Sequence, residues 1–308
     1  MRTAPLVLGG LLTAAIVATG IWAWTPDRSR GDLEKKYSNT STRYVEVAGT
    51  SIRVRDTGDA RAPAVILLHG FGSSLETWEP WAQALSNRYR VVRFDLPGSG
   101  LSEPDRSGDY SDVRTLALIR LLMDQLGIEK AAFIGNSIGG RLAWRFAAAF
   151  PSRVAKLVLI SPDGFASPGF EYGRPPHVPA VLKLMEYFLP RSLMRSNLGA
   201  AYGDPSRLSE AVIDRYYDFL RAPGNRAAML ARMQQTVLEE PIPLLRQINT
   251  PTLLLWGRKD RLIPFSNSAD YLRSLPHATL IDFPDLGHVP QEEAPDESLK
   301  PLERFLDS

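Results

Sequence analysis

The sequence contains no cysteine among its 308 residues. Disulfide bonds, a thiolate nucleophile and cysteine-based zinc sites are therefore excluded, and either redox compartment suits the chain. A basic stripe is also missing, because 36 lysine and arginine residues are scattered along the chain and balanced by 34 acidic ones. We therefore expect no nucleic-acid surface. Repeats and low-complexity segments are absent too, and 44% hydrophobic residues favour one globular domain with an insertion.

Charged residues are missing from the N-terminal segment, where none occurs between Thr3 and Pro26. The stretch from Pro5 to Trp24 matches the roughly 20 apolar residues that a membrane-spanning helix needs. Small residues at 18–20 resemble a signal-peptide cleavage site, but Trp22 and Trp24 just beyond them are typical of interfacial anchors. We therefore favour an uncleaved membrane anchor over a cleaved signal sequence.

The segment before the globular domain is divided into an anchor or signal sequence, residues 1–26, and a polar linker, residues 27–41. Four basic residues in the linker would hold the domain in the cytoplasm by the positive-inside rule. The short basic start followed at once by an apolar core instead resembles an export signal. We favour a membrane-associated protein with its globular domain on the periplasmic or extracytoplasmic side.

Short apolar runs alternate with helical patterns over most of the remaining chain. Ala64–Leu68 is continuously apolar, as expected of a strand buried on both faces. Ser111 is a suitable N-cap for a helix that ends at Gly127. This alternation predicts an α/β fold with a mostly parallel sheet covered by helices. The predicted strands are Tyr44–Val47, Ile52–Arg55, Ala64–Leu68, Val91–Phe94, Ala131–Ile134, Val154–Ile160, Thr252–Trp256 and Thr279–Phe283.

The alternation stops over residues 163–245, which read as helices and turns with two proline-rich joints. We predict a helical cap there, inserted into a core made of residues 42–162 and 246–308. An inserted helical unit is a natural lid over a site at the carboxyl edge of the sheet. The apolar cap residues that we expect to face such a site are Met185, Phe188, Leu189, Tyr216, Met229 and Met233.

Ser137 lies where a strand turns into a helix, within the sequence Gly135-Asn-Ser-Ile-Gly139. Glycines on both sides remove the side chains that would collide in a very tight strand-turn-helix. A helix N-cap would need only the serine, whereas a nucleophile elbow needs both glycines. We therefore predict that Ser137 is a nucleophile.

A serine hydroxyl needs a base, and the base needs an acid that orients it. His288 follows the last predicted strand, and a loop there would carry it over the strand ends. Asp260 follows the strand Thr252–Trp256, so the chain order is serine, acid, histidine. We assign Asp260 as the acid, with Asp163 as the fallback.

The oxygen of an attacked carbonyl becomes negative and requires fixed donors. The backbone N–H groups of Phe71 and Ile138 are the candidates for this oxyanion hole. Gly70 and Gly72 would let the turn that carries Phe71 approach the nucleophile closely.

Taken in order, the motifs resemble those of the α/β-hydrolase fold superfamily. They are His69-Gly-Phe-Gly, Asp95-Leu-Pro-Gly-Ser-Gly, Gly135-Asn-Ser-Ile-Gly-Gly, Trp256-Gly-Arg-Lys-Asp and Gly287-His-Val-Pro-Gln-Glu-Glu-Ala-Pro. The resemblance extends from about Tyr44 to the C-terminus. It implies an eight-stranded sheet with a helical cap after the sixth strand, which agrees with the predicted insertion.

Two branches of that superfamily compete. Asn136 and the run from Trp256 to Arg261 resemble hydrolases that cleave carbon-carbon bonds of dienoic acids from aromatic degradation. The turn at residues 71–74 departs from the Gly-Pro-Gly run that is usual in those enzymes. That turn and the N-terminal segment are more typical of membrane-anchored monoacylglycerol lipases and carboxylesterases. Haloalkane dehalogenases and epoxide hydrolases need an aspartate nucleophile, so Ser137 argues against both.

We accordingly predict a serine hydrolase of carboxylic esters with apolar acyl groups, such as monoacylglycerols. Cleavage of a carbon-carbon bond in dienoic acids is the alternative, and a non-catalytic membrane-tethered binding protein is an alternative of another class. A dienoate would require a fixed cation, and no cap arginine stands out in the sequence. The expected partners are a small-molecule ester and the membrane, and we expect neither a cofactor nor a metal.

Overall fold

The computed structural model describes residues 24–167 and 171–308. The first 23 residues of the predicted anchor lie outside the described residues, so that prediction stays a prediction. None of the helices described from residue 24 onward combines the length and apolar character of a membrane span.

A single sheet of eight strands forms the centre of the fold and confirms the predicted α/β class. The spatial order is β1-β2-β4-β3-β5-β6-β7-β8. β2 pairs antiparallel with β1 and β4, and every other neighbouring pair is parallel. The strands are β1 Thr42–Val47, β2 Thr50–Thr57, β3 Ala64–Leu68, β4 Arg90–Phe94, β5 Ala131–Asn136, β6 Val154–Ile160, β7 Thr252–Gly257 and β8 Ala278–Phe283.

Helices cover both faces of the sheet because the central strands are apolar on both sides. β3 alternates between the two cores, since Ile66 and Leu68 belong to one buried cluster while Val65 and Leu67 belong to the other. The helices outside the insertion are α1 Arg30–Tyr37, α2 Glu79–Leu85, α3 Asp112–Gln125, α4 Ile138–Ala149, α9 Asn267–Ser274, α10 Pro290–Glu293 and α11 Pro295–Asp307. Ser111 caps α3 by accepting a hydrogen bond from the N–H of Arg114, as the sequence suggests.

A helical insertion separates β6 from β7. Its α-helices are α5 Arg191–Ala201, α6 Glu210–Leu220, α7 Asn225–Gln235 and the short α8 Ile242–Leu245, and a 3-10 segment, Ala180–Glu186, precedes them. The insertion has a core of its own, in which Leu189, Ile213 and Tyr202 are buried. Four of the six apolar residues expected above the site contribute to this cluster: Leu189 and Tyr216 are buried in it, and Met185 and Met229 pack against it.

The segment predicted as a polar linker carries helix α1, which packs against the insertion. Leu33 is fully buried in a cluster with Phe219 of α6. Asp218, beside Phe219, accepts hydrogen bonds from Lys36 and Tyr37 of α1 at 2.8 and 2.9 Å. A single leucine among polar residues gives a weak periodic signal, which explains why the sequence pattern did not predict this helix.

Candidate active site

The elbow between β5 and α4 is a sharp turn at the carboxyl edge of the sheet. Ser137 has φ 57° and ψ −122°, a strained conformation for a residue that carries a side chain. A Cβ at Gly135 would lie 2.2 Å from the carbonyl oxygen of Gly139, and one at Gly139 would lie 2.2 Å from that of Leu68. Both glycines are therefore required sterically, as the sequence suggested.

The loops after β7 and β8 bring Asp260 and His288 together. Nδ1 of His288 lies 2.8 Å from Oδ2 of Asp260, and both side chains are buried. The other carboxylate oxygen, Oδ1, accepts the N–H groups of Leu262 and Ile263 at 2.8 and 2.9 Å. Because an ionised carboxylate can only accept, Nδ1 carries the proton and Nε2 of the neutral imidazole keeps a free lone pair.

Asn136 joins the His288 loop to the elbow. Its Nδ2 donates to the carbonyl oxygen of His288 at 2.9 Å and to that of Ile160 at 3.2 Å. Asn136 directly precedes Ser137, so these bonds hold the His288 segment beside the predicted nucleophile. In the sequence Asn136 is only part of a motif, whereas in the structure it connects the His288 loop to the elbow.

Asp163, the fallback acid, lies elsewhere. Its Oδ2 accepts from the buried guanidinium of Arg141 at 2.7 Å, and its carbonyl oxygen accepts from Tyr271 at 2.8 Å. Asp260 is thus the carboxylate that bonds His288, whereas Asp163 is paired with Arg141.

The two residues whose backbone N–H groups are predicted to form the oxyanion hole line one pocket. Phe71 and Ile138 both contribute to it. Gly70 brings the first turn against the elbow, since a Cβ there would lie 3.4 Å from Cβ of Ser137. Within the described residues, neither the Phe71 nor the Ile138 N–H donates to another protein atom. Both N–H groups are therefore free to bind an oxyanion.

His69 braces the turn that carries Phe71. Its Nε2 accepts the N–H of Leu96 at 2.9 Å, so its Nδ1 carries the proton and donates to the carbonyl oxygen of Gly70 at 2.8 Å. Complete burial lowers the pKa of His69, which keeps the ring neutral in this arrangement. His69 therefore shapes the pocket and is not a second base.

A family model for the alpha/beta hydrolase fold matches residues 63–295. The chain belongs to the α/β-hydrolase fold family. It is a hydrolase of that fold, as the motifs predicted.

Relatives within the family include carbon-carbon bond hydrolases. The chain is 28% identical over 272 residues to a 2-hydroxy-6-oxo-6-phenylhexa-2,4-dienoate hydrolase of Burkholderia cepacia, a match that covers 84% of this chain and 93% of the relative. A meta-cleavage product hydrolase from Pseudomonas fluorescens has a TM-score of 0.75 at 26% identity, covering 87% of this chain and 99% of that one.

A crystal structure of a membrane phospholipase A described as a bacterial virulence factor is similar as well. Its TM-score is 0.75 at 25% identity, and the match covers 99% of this chain and 98% of the phospholipase. The similar proteins therefore include both carbon-carbon bond hydrolases and a membrane phospholipase.

Proposed function

We propose that Ser137 is the nucleophile of a carbonyl hydrolase, with His288 as its general base and Asp260 as the acid that orients the base. The observation that carries this assignment is the 2.8 Å bond between His288 and Asp260, tied through Asn136 to the strained elbow. The N–H groups of Phe71 and Ile138 are proposed as the donors to the developing oxyanion.

The proposed reaction proceeds in two halves. Ser137 Oγ attacks the carbonyl carbon while Nε2 of His288 takes the hydroxyl proton. The tetrahedral intermediate then expels the leaving group, which receives that proton from His288, and an acyl-serine remains. Water, deprotonated by His288, attacks the acyl-serine, and the returning proton restores the Ser137 hydroxyl. The sum is the addition of one water across the bond that is cleaved.

We further propose that this bond is a carbon-carbon bond beside a ketone, in a substrate of the dienoic acid class. The named relatives of this class match nearly the whole globular part of the chain, which gives this alternative more support than our first preference for esters. The leaving group is then a carbanion, which must be conjugated with an unsaturated acid to be stable enough to depart. His288 would protonate that carbon.

Ester hydrolysis is the second candidate function. It is favoured by the match to the membrane phospholipase A, which extends over 99% of this chain. Phe71, Leu220 and Met229 also give the pocket an apolar portion. However, six cap residues were predicted to line an acyl pocket, and of these six Met229 is the one that lines the pocket beside Phe71 and Ile138.

The two candidates make opposite predictions for one substrate panel. We expect kcat/KM for 2-hydroxy-6-oxo-6-phenylhexa-2,4-dienoate to exceed that for every 4-nitrophenyl ester from acetate to decanoate by at least about tenfold. Absorbance assays on the same enzyme preparation would measure both. If kcat/KM instead rises steadily with acyl length, because each buried CH₂ contributes up to about 0.8 kcal/mol, and the dienoate is left intact, the enzyme is an esterase.

We also propose that residues 1–26 anchor the protein in a membrane, with the catalytic domain on the extracytoplasmic side. The support is the uncharged stretch from Thr3 to Pro26 and the match of the whole chain to a membrane phospholipase.

Full-length protein is therefore expected to stay with the membrane fraction after alkaline carbonate washing, whereas a chain beginning at Trp24 is expected to be released. The shortened chain keeps Asp27, Arg28 and helix α1, all of which form hydrogen bonds with cap residues. It should therefore keep its activity. Full-length protein in the soluble fraction, with a mature N-terminus near Ile21, would instead indicate a cleaved signal.

A further inference from the structure

A hydroxyl group of the cap joins the two core segments that carry the proposed catalytic groups. Tyr216 lies on α6, and its phenolic oxygen is 3.1 Å from Oγ of Ser73 and 3.0 Å from Oε2 of Glu292. Ser73 closes the turn that carries Phe71, and Glu292 lies four residues after His288. Segments from opposite ends of the core therefore meet at one side chain of the insertion.

The turn that presents the Phe71 N–H group is bonded at both of its ends. The N–H of Ser73 donates to the carbonyl oxygen of Gly70 at 3.2 Å, which closes a β-turn. His69 holds the Gly70 end from the core, since its Nδ1 donates to the same carbonyl oxygen at 2.8 Å. Tyr216 holds the Ser73 end from the cap. The position of the Phe71 N–H group therefore depends on a cap residue as well as on the core.

The protons available to these groups fix the direction of each hydrogen bond. Glu292 is paired with Arg215 and is ionised, so it can only accept, and Tyr216 gives it the single phenolic proton. Ser73 must then donate its own proton to the phenolic oxygen. Burial raises the pKa of Tyr216, and the charge of Glu292 raises it further, so the phenol stays protonated. The bonds consequently run in one direction, from Ser73 through Tyr216 to Glu292.

This connection is shielded from water and balanced in charge. Ser73 and Tyr216 are buried, and the Glu292 side chain is 5% exposed. Arg215 bonds the other oxygen of that carboxylate, Oε1, and its guanidinium carbon lies 5.2 Å from the ring centre of Tyr216. Hydrogen bonds in such surroundings are stronger than exposed ones. The phenolic oxygen is therefore held in a fixed position.

The segment that carries the base is held by the cap too. Glu292 belongs to the short helix α10, and its N–H donates to the carbonyl oxygen of Val289 at 2.9 Å. Val289 is the neighbour of His288, whose own N–H donates to the carbonyl oxygen of Ala201 in the cap at 2.7 Å. The cap thus bonds the base segment as well as the donor turn.

We propose that Tyr216 is a positioning residue of the reaction, which sets the Phe71 N–H group against the elbow by holding Ser73 at the end of the turn. An oxyanion donor is effective only at hydrogen-bond distance from the developing charge, so the position of the turn affects the rate directly. This inference rests on the proposed function. It applies to carbon-carbon and ester cleavage alike, because both pass through the same type of oxyanion.

The first test removes the phenolic oxygen with Tyr216→Phe. Loss of one oxyanion donor costs about 10²- to 10³-fold in kcat, and a displaced donor loses part of this, so we expect kcat to fall about 10- to 100-fold. KM should change by less than about threefold, since the ground-state carbonyl depends little on the donor. Both constants are measured on the substrate of the panel above that the wild-type enzyme turns over fastest.

A trifluoromethyl ketone inhibitor separates positioning from a general loss of packing. Oγ of Ser137 adds to the ketone carbon, the carbonyl electron pair moves onto oxygen, and the hydroxyl proton passes to His288. The adduct therefore places an oxyanion at the Phe71 donor, as the transition state does. Its affinity should fall by the same factor as kcat/KM in Tyr216→Phe. An inhibitor affinity equal to that of the wild-type enzyme would overturn the proposal.

Ser73→Ala and the double variant show whether the two hydroxyl groups act as one unit. Ser73→Ala should lower kcat by a similar factor, and the double variant should lose no more than about threefold beyond either single one. Losses that multiply in the double variant would overturn the proposal, because Tyr216 would then act without Ser73. A cooperative thermal transition, recorded for each variant, ensures that the kcat values compare folded proteins.

Tyr217→Phe is the matched control on the same helix. The guanidinium carbon of Arg221 lies 5.2 Å from the ring centre of Tyr217, whose hydroxyl makes no hydrogen bond with another described residue. Its kcat and KM should stay within about twofold of wild type, since no hydrogen bond is lost. An unchanged kcat in Tyr216→Phe would overturn the positioning role alone. Turnover that persists in Ser137→Ala would instead overturn the proposed function, so the two failures are distinguishable.

Discussion

Replacing Ser137 with alanine should lower kcat by about 10⁴- to 10⁶-fold, as expected when the nucleophile of a serine hydrolase is lost. It should also abolish labelling by a fluorophosphonate probe. The variant should fold normally, because the Ser137 side chain makes no hydrogen bond with another described residue and its backbone bonds remain. Thermal unfolding of the two proteins, measured beside the labelling, checks both parts of this expectation.

Ser161 offers a matched control for that experiment. It also follows a central strand and has a positive φ, 42°, but it is fully buried at the end of β6. Ser161→Ala should retain activity and labelling, since a buried hydroxyl cannot reach a substrate. Labelling that survives in Ser137→Ala would remove Ser137 from the mechanism.

The strands were predictable because each central one is a short apolar run ended by turn residues. All eight predicted strands are present, and β3 and β6 have the predicted ends. The pairing of Asp260 with His288 was predictable because each residue follows a predicted strand, and parallel strands place their carboxyl ends on one edge. Both predictions depend on local pattern and on topology.

Contacts between remote segments could not be predicted in the same way. The bond between Lys36 and Asp218 joins residues 182 positions apart, and nothing in either local sequence indicates it. Arg232 illustrates the same limit at the site. In sequence it is one of several cap arginines. In the fold it lines the pocket beside Phe71 and Ile138, and within the described residues no carboxylate lies within 4.0 Å of it, which only the three-dimensional arrangement determines.

Asp260→Asn should reduce kcat about 10⁴-fold while leaving the fold intact. The N–H groups of Leu262 and Ile263 both point at Oδ1 of Asp260, so they will orient the new amide with its oxygen toward them. Its NH₂ group then faces Nδ1 of His288. The imidazole must accept there, which moves its proton to Nε2 and removes the lone pair that would take the proton of Ser137. The expected loss in kcat equals that caused by the same Asp-to-Asn substitution in a serine protease triad.

Asp163→Asn is the control that separates the proton shift on His288 from the simple loss of a carboxylate near the elbow. Asp163 pairs with Arg141, which also bonds Asp112, so its loss should lower the melting temperature by weakening a buried ion pair. Its kcat should remain within about tenfold of wild type, because His288 keeps its proton on Nδ1. Steady-state kinetics on the two asparagine variants decide between the acids. An inactive Asp163→Asn beside an active Asp260→Asn would reassign the acid to Asp163, and His288 would then need a different orientation from the one held by its 2.8 Å bond to Asp260.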